Sequence, residues 1–140
     1  MPSISGATLS LSGSAWANVT LDVTYTATFS SVERFLAANG LIFEERIQII
    51  GDDPGELSDV TLHTFQSQVI PVSAGSGDLA VNRSRSLTVA GGTLNEDPGG
   101  TGFPFPIPNS DEIFARIEVA YVGLNAGPAR TDSPVRTITA

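Results

Sequence analysis

Residues 19–29 read VTLDVTYTATF, and apolar and polar side chains alternate along them without a break. A strict period of two places alternate side chains on opposite faces of a β-strand. The β-branched Val and Thr residues suit a pleated surface better than a helix. The stretch therefore predicts a strand with one face in a core, and that face carries Val19, Leu21, Val23, Tyr25, Ala27 and Phe29.

A second alternating stretch, EIFARIEVAYV at 112–122, predicts another strand of the same kind. Weaker strand patterns lie at 5–10, 41–50, 59–65, 67–72, 79–90 and 133–140. Turn signals rich in Gly, Asp, Asn and Pro separate them, and Pro134 favours an edge position for the last strand because proline has no amide to donate. Seven to nine short strands predict an all-β fold, an antiparallel two-sheet sandwich.

One segment, SSVERFLAANG at 30–40, departs from the strand pattern. Ser30 and Glu33 have the residue types and spacing of a capping box, and Gly40 lies where a helix would end, which favours one short helix near 31–39. The alternative is a bent strand that ends in an Asn39-Gly40 hairpin turn. Both interpretations are open at this point.

Length and composition predict a single domain over 1–140, since 140 residues are enough for one self-sufficient core. The chain has no Cys and one His, which excludes a disulfide framework and a cysteine nucleophile. Its net charge of −8 opposes nucleic-acid binding. No apolar run reaches the ~20 residues of a membrane span, and the first residues lack the pattern of a signal peptide.

The last thirty residues, DEIFARIEVAYVGLNAGPARTDSPVRTITA, contain an alternating strand, an Asn-Ala-Gly turn and a Ser-Pro-Val strand. This stretch resembles the final hairpin of fibronectin type III modules, and Trp16 is placed similarly to their core tryptophan. The chain departs from the family at Phe114, near the position of its corner tyrosine. The resemblance implies an immunoglobulin-like sandwich and does not by itself imply a function.

Acidic residues cluster at predicted strand ends and turns. Carboxylate oxygens are the ligands that calcium prefers, although no stretch has the spacing of a dedicated calcium loop. The pattern leaves two interpretations, solvated turns and a calcium site, with no other cofactor expected. The candidate ligands are Asp52, Asp53, Glu96, Asp97 and Asp111.

Two arginines fall on a nominally apolar strand face. In LAVNRSRSLTV, Arg83 and Arg85 fall on the same alternate positions, and so on the same strand face, as Leu79 and Val89. Guanidinium groups are not left unpaired in a core. Either a bulge near Asn82 flips the strand, or the arginines lie at a sheet edge and pair with acids of neighbouring strands or loops. A site for a ligand carboxylate or sulfate is the functional alternative to such an ion-paired rim.

The segment TLNEDPGGTGFPFPIPNSDE at 93–112 carries Phe103, Phe105 and Ile107 between prolines. The prolines enforce an extended, polyproline-like run that can present apolar side chains. The segment is either a strap over the core or an arm that binds a protein partner, including a second copy of the chain.

These patterns predict a noncatalytic sandwich, a structural or protein-binding module within a homo-oligomer or a larger surface or viral assembly. No nucleophile, base and orienting group stand at a recognisable spacing, so an enzyme is not expected. The alternative function is a calcium-assisted carbohydrate-binding module, against which the small number of free aromatic residues speaks.

Overall fold

The computed structural model describes residues 2–13, 18–52, 60–90, 110–122 and 129–139. These residues form nine strands and one helix, and the strands lie in two antiparallel sheets. The elements are β1 (Ser3–Gly13), β2 (Asn18–Phe29), α1 (Ser31–Ala38), β3 (Ile42–Asp52), β4 (Val60–Thr64), β5 (Gln68–Ile70), β6 (Leu79–Ala90), β7 (Ser110–Val122), β8 (Ala129–Asp132) and β9 (Arg136–Thr139). The structure therefore confirms the predicted all-β fold, an antiparallel two-sheet sandwich.

The smaller sheet has the strand order β1-β2-β6. Strand β2 lies in its centre and pairs with β6 in one unbroken register from Asn18 opposite Ala90 to Phe29 opposite Leu79. The six residues predicted for the core face of β2 are all buried. Alternation in sequence and burial in the structure therefore agree along the whole strand.

The larger sheet is built on β3 and β7, which pair along eleven residues. Both of its outer edges are interrupted. Beside β3, residues 65–67 lie opposite only residues 46 and 47, between the pairings of β4 and β5. Beside β7, residues 133–135 lie opposite only residues 114 and 115, between β8 and β9. Each interruption holds one extra residue, and the pairing of β4 with β3 shifts by one more between Ile49 and Ile50. Extra residues bend the strand, and such irregular edges discourage pairing with other chains.

The core lies between the sheets and is filled from both. Phe43 of β3 makes ring contacts with Phe29 of β2 at 4.8 Å and with Tyr121 of β7 at 4.9 Å between centroids. On one side of the sandwich β1 packs against β7, β8 and β9, and Nε of Arg136 donates to the carbonyl of Leu9 at 2.8 Å.

Residues 31–38 form a helix, which resolves the two interpretations in favour of the capping box. The Glu33 amide donates to the Ser30 hydroxyl at 3.3 Å, and the Ser30 amide donates to the Glu33 carboxylate at 2.7 Å. Gly40 follows with φ +102°, a left-handed conformation that glycine adopts without strain. In the part of the chain that the structure describes, no helix has the length and apolar character needed to span a membrane.

Strand boundaries differ from the sequence predictions mainly at the edges. Strand β1 is longer than the predicted 5–10, and β5 is shorter than the predicted 67–72. Strand β8 was not predicted, because its four residues, ARTD, have no apolar alternation. Strands β5 and β8 are short and lie at the edges of the larger sheet, so their sequences carry little periodicity.

Candidate functional site

Arg83 and Arg85 lie on β6, an edge strand of the smaller sheet among the described strands. Because the register between β2 and β6 is continuous through Asn82, the interpretation that a bulge flips the strand is wrong. Both arginines point to the same side as the apolar residues of β6, and their partner lies across the sandwich on β3.

That partner is Glu45, whose side chain is fully buried. Nε of Arg83 lies 3.0 Å from one carboxylate oxygen and Nη1 of Arg85 lies 2.5 Å from the other. The Tyr25 hydroxyl also donates to Glu45, and Arg83 reaches the side-chain oxygen of Gln68 at 3.0 Å. We call Tyr25, Glu45, Arg83 and Arg85 the arginine cluster; it connects the two sheets on the side where β6 and β5 form their edges.

The arginine cluster holds a buried charge in its ionised form. Burial alone would raise the pKa of Glu45, but hydrogen bonds from Arg83, Tyr25 and Arg85 outweigh it and hold the pKa below the ordinary value. Burial, followed by the Glu45 carboxylate, raises the pKa of Tyr25, so the phenol stays protonated and donates. Pairing with Glu45 raises the pKa of Arg83.

The lowered pKa of Glu45 predicts an acid-sensitive contribution to stability. The unfolded chain binds this proton at a higher pH than the folded chain does, so the contribution is complete above the unfolded pKa of about 4.3 and is lost as the pH falls toward the folded pKa. We expect the free energy of unfolding of the wild type to fall more steeply below pH 4.3 than that of Glu45→Gln. Urea denaturation at a series of pH values from 6 to 3 measures both slopes, and equal slopes would contradict the prediction.

Glu45 is not among the site residues predicted from the sequence, although a signal for it is present. In LIFEERIQII, Glu45 falls on the same alternate positions as Phe43, Ile47 and Ile49, which are all buried. One acid on the core face of β3 and two arginines on the core face of β6 are complementary anomalies. Matching them requires knowing that the two strands face each other.

Helix α1 has an unusual orientation. Its buried side chain is Glu33, which accepts from Tyr121 at 3.2 Å and closes the capping box. Its three large apolar side chains are exposed: Val32 is 66% exposed, Phe35 65% and Leu36 37%. A helix on a sandwich normally turns its apolar stripe to the core. Here that stripe faces away from it.

Arg34, on the same helix, organises the residues that lead into β6. Its guanidinium donates to four backbone carbonyls, those of Ser73, Ala74, Ser76 and Gly77, at 2.9–3.2 Å. Gly75 packs so closely that a Cβ there would lie 2.2 Å from Nη2 of Arg34. The contacts fix α1 relative to β6 and hold the exposed apolar side chains in place.

The outer face of the smaller sheet is covered with hydroxyl and amide groups that bond to each other. Thr20 and Thr88 hydroxyls lie 2.9 Å apart, and Thr26 donates to Asn82 at 2.8 Å. An open cavity of about 280 Å³ lies on this face beside Gly6. These cross-strand pairs stabilise the sheet, and Thr26 and Asn82 are among the residues that line the cavity.

The remaining predicted site residues lie partly or wholly outside the described residues. The apolar arm, Phe103, Phe105 and Ile107, lies outside them, as do Asp53, Glu96 and Asp97, and Trp16 of the family resemblance. Asp52 is the last residue of β3 and Asp111 the second residue of β7. In the register of these two strands, Asp52 lies opposite Glu112. Among the described residues, no three His, Cys, Asp or Glu side chains are grouped so that they could hold a metal ion.

Comparison with known proteins gives no relative for this chain. No family model matches it, and neither a curated protein nor a solved structure does. The class of molecule is therefore defined by the fold itself, an all-β antiparallel sandwich with one capped helix.

Proposed function

We propose that this chain is a noncatalytic β-sandwich module that binds protein, and that its first partner is a second copy of itself within a larger assembly. The exposed apolar side of α1 supports the proposal. Val32 and Phe35 each leave about two thirds of their surface in water, and contiguous apolar groups in water mark interaction sites. As to the type of sandwich, the resemblance to fibronectin type III modules supports an immunoglobulin-like one.

A second copy suits this surface because Val32, Phe35 and Leu36 carry no charge. Because the chain has a net charge of −8, a partner selected by charge complementarity would itself carry basic groups, and it would need acidic groups on this surface to pair with. Two copies of an acidic chain repel each other at low ionic strength. At 0.1 M salt the Debye length is about 10 Å, so repulsion between charges that lie farther apart than this is largely screened. Self-association through α1 therefore becomes stronger as salt is added.

Two further apolar side chains are exposed where β3 begins and β7 ends. Ile42 of β3 lies opposite Val122 of β7 in the sheet register, and the two side chains are 44% and 41% exposed. A few side chains cover less than the ~800 Å² per partner of a standard interface. A single contact is then weak, and repetition of such contacts in an assembly raises the overall affinity.

We expect the wild type to associate reversibly in sedimentation velocity at rising concentration and in 0.5 M salt, and Val32→Ser/Phe35→Ser to remain a monomer. Both side chains are largely in water, so the variant keeps its fold and melts near the wild type. Val135→Ser is the matched control, since Val135 is 43% exposed and lies beside the other end of β7.

The same experiment tests the predicted apolar arm. A variant with Phe103, Phe105 and Ile107 all changed to Ser reports whether the arm contributes to association or only to stability. A wild type that stays monomeric at every concentration and salt level would contradict the proposal. Association that survives the α1 variant and fails in the arm variant would move the interface from α1 to the arm.

A further inference from the structure

Strand β6 is the most regular edge among the described strands. Its twelve residues pair with β2 without a shift, and no described strand pairs with its other side. By contrast, the register of β1 shifts between Ser5 and Thr8, and both edges of the larger sheet are interrupted by one extra residue. Chains commonly blunt their edges with such irregularities, and β6 has none.

The side chains of β6 select what could pair with that edge. Two guanidinium groups share the single carboxylate of Glu45, so the arginine cluster keeps one formal positive charge. Arg83 is 17% and Arg85 13% exposed, and Arg85 also donates to the backbone carbonyl of Gln66 at 3.0 Å. The charge is therefore partly withdrawn from water, while a fraction of each side chain remains accessible to a partner. A partly desolvated cation attracts a carboxylate more strongly than an exposed one does.

Apolar residues flank the two arginines on the same side of the strand. Val81 precedes them and Leu87 follows, and both are half-buried against the core. Residues two apart on a strand lie about 6.6–6.8 Å apart on one face. The edge therefore presents an apolar, basic, basic, apolar row at regular spacing.

We propose that β6 binds an extended acidic segment of another protein, which adds to the smaller sheet as a fourth strand with two carboxylates at alternate positions opposite Arg83 and Arg85. Main-chain hydrogen bonds to a sheet edge supply affinity in this mode of recognition, and alternate side chains supply specificity. Opposite charges across neighbouring strands are stabilising, and apolar residues at the next alternate positions meet Val81 and Leu87.

A second copy of β6 is a poor occupant of the same edge. In an antiparallel pair centred on Ser84, Arg83 of one copy lies opposite Arg85 of the other, and like charges directly opposite are destabilising. Inward-pointing charges are a known protection of strand edges. The arginines thus oppose self-pairing and apolar strands while they admit an acidic one. This interaction uses a surface other than α1 and is independent of the self-association proposed above.

The test measures binding of a fluorescein-labelled peptide, TVTETETVT, to the full chain by fluorescence anisotropy at 50 mM salt. TVTQTQTVT is the matched control peptide. We expect the glutamate peptide to bind at least tenfold more tightly, although the net charge of −8 repels it more. Equal affinities, or no binding of the glutamate peptide at millimolar protein, would overturn the proposal.

Arg85→Gln tests the source of the preference within the protein. In this variant Arg83 and Tyr25 still bind Glu45, and the arginine cluster has no net charge. We therefore expect the tenfold preference for the glutamate peptide to disappear. Circular dichroism should show that the variant is folded. Arg46→Gln is the control, because Arg46 pairs with Glu44 on the larger sheet. A preference that persists in Arg85→Gln and disappears in Arg46→Gln would place the site elsewhere. If Arg85→Gln does not fold, the comparison of the two peptides on the wild type still tests whether the chain prefers an acidic strand.

Two N-methylated forms of the glutamate peptide separate strand addition from ionic attraction. In a strand, alternate amides face the same neighbour, so methylation of one alternate set blocks pairing and methylation of the other does not. We expect one form to lose at least tenfold in affinity and the other to bind as before. Equal binding of both forms would show an ionic contact without strand addition and would overturn the proposal.

Discussion

Replacing Glu45 with alanine is expected to lower the free energy of unfolding by about 3–5 kcal/mol, because removal of one partner from a buried ion pair leaves the other charge uncompensated. Here two guanidinium groups lose their shared acceptor, and the Tyr25 hydroxyl loses its acceptor as well. Urea denaturation followed by circular dichroism measures the difference.

The neighbouring residue provides the control. Glu44 pairs with Arg46 at 2.8 Å, but both side chains are partly exposed, and exposed pairs contribute only about 0–1 kcal/mol. We expect Glu44→Ala to stay within that range. Equal effects of the two substitutions would show that the arginine cluster contributes no more to stability than a surface pair.

A triple replacement separates stability from specificity in the cluster. Exchange of a buried ionic group for apolar residues of similar size is often neutral or stabilising, so Glu45→Met with Arg83→Met and Arg85→Leu is expected to recover the part of the stability that Glu45→Ala loses through its two uncompensated guanidinium groups. The Tyr25 hydroxyl still lacks its acceptor in this variant. The same triple variant should lose the preference for the acidic peptide. An ionic group that adds little net stability can thus remain useful for the choice of partner.

Local sequence signals predicted the elements whose determinants lie close together in the chain. The strand at 19–29 follows from alternation within eleven residues, and the helix start follows from Ser30 and Glu33, three residues apart. In the arginine cluster, Arg83 and Arg85 lie 38 and 40 positions after Glu45 in the sequence. Its formation depends on which strands face each other, and periodicity does not determine that.

The orientation of α1 shows the same limit. Val32, Phe35 and Leu36 have the spacing of a core-facing stripe, so their pattern alone would place them inside. The helix is oriented instead by groups outside it. Tyr121 of β7 donates to Glu33, and Arg34 donates to the carbonyls of Ser73, Ala74, Ser76 and Gly77. Those partners are more than thirty residues away in sequence. The exposed apolar surface was therefore not predictable from residues 30–40.

Replacing Phe43 with alanine is the second substitution from which we expect a large effect, a loss of about 3–5 kcal/mol in the free energy of unfolding. The Phe43 side chain is 1% exposed and contacts the rings of Phe29 and Tyr121. The small side chain leaves a cavity between the two sheets, and the remaining rings lose their edge contacts. Phe43→Leu retains most of the volume and is expected to lose less than about 1.5 kcal/mol.

Phe35→Ala is the informative counterpart, because it removes the same side chain from a site that is 65% exposed. Its stability should stay within about 0.5 kcal/mol of the wild type, while its self-association in sedimentation velocity should weaken. Conversely, Phe43→Ala should weaken the fold without changing association of the molecules that remain folded. A Phe35→Ala variant that unfolds as readily as Phe43→Ala would show that α1 packs against the sandwich through Phe35, and the surface proposed for protein binding would then belong to the core.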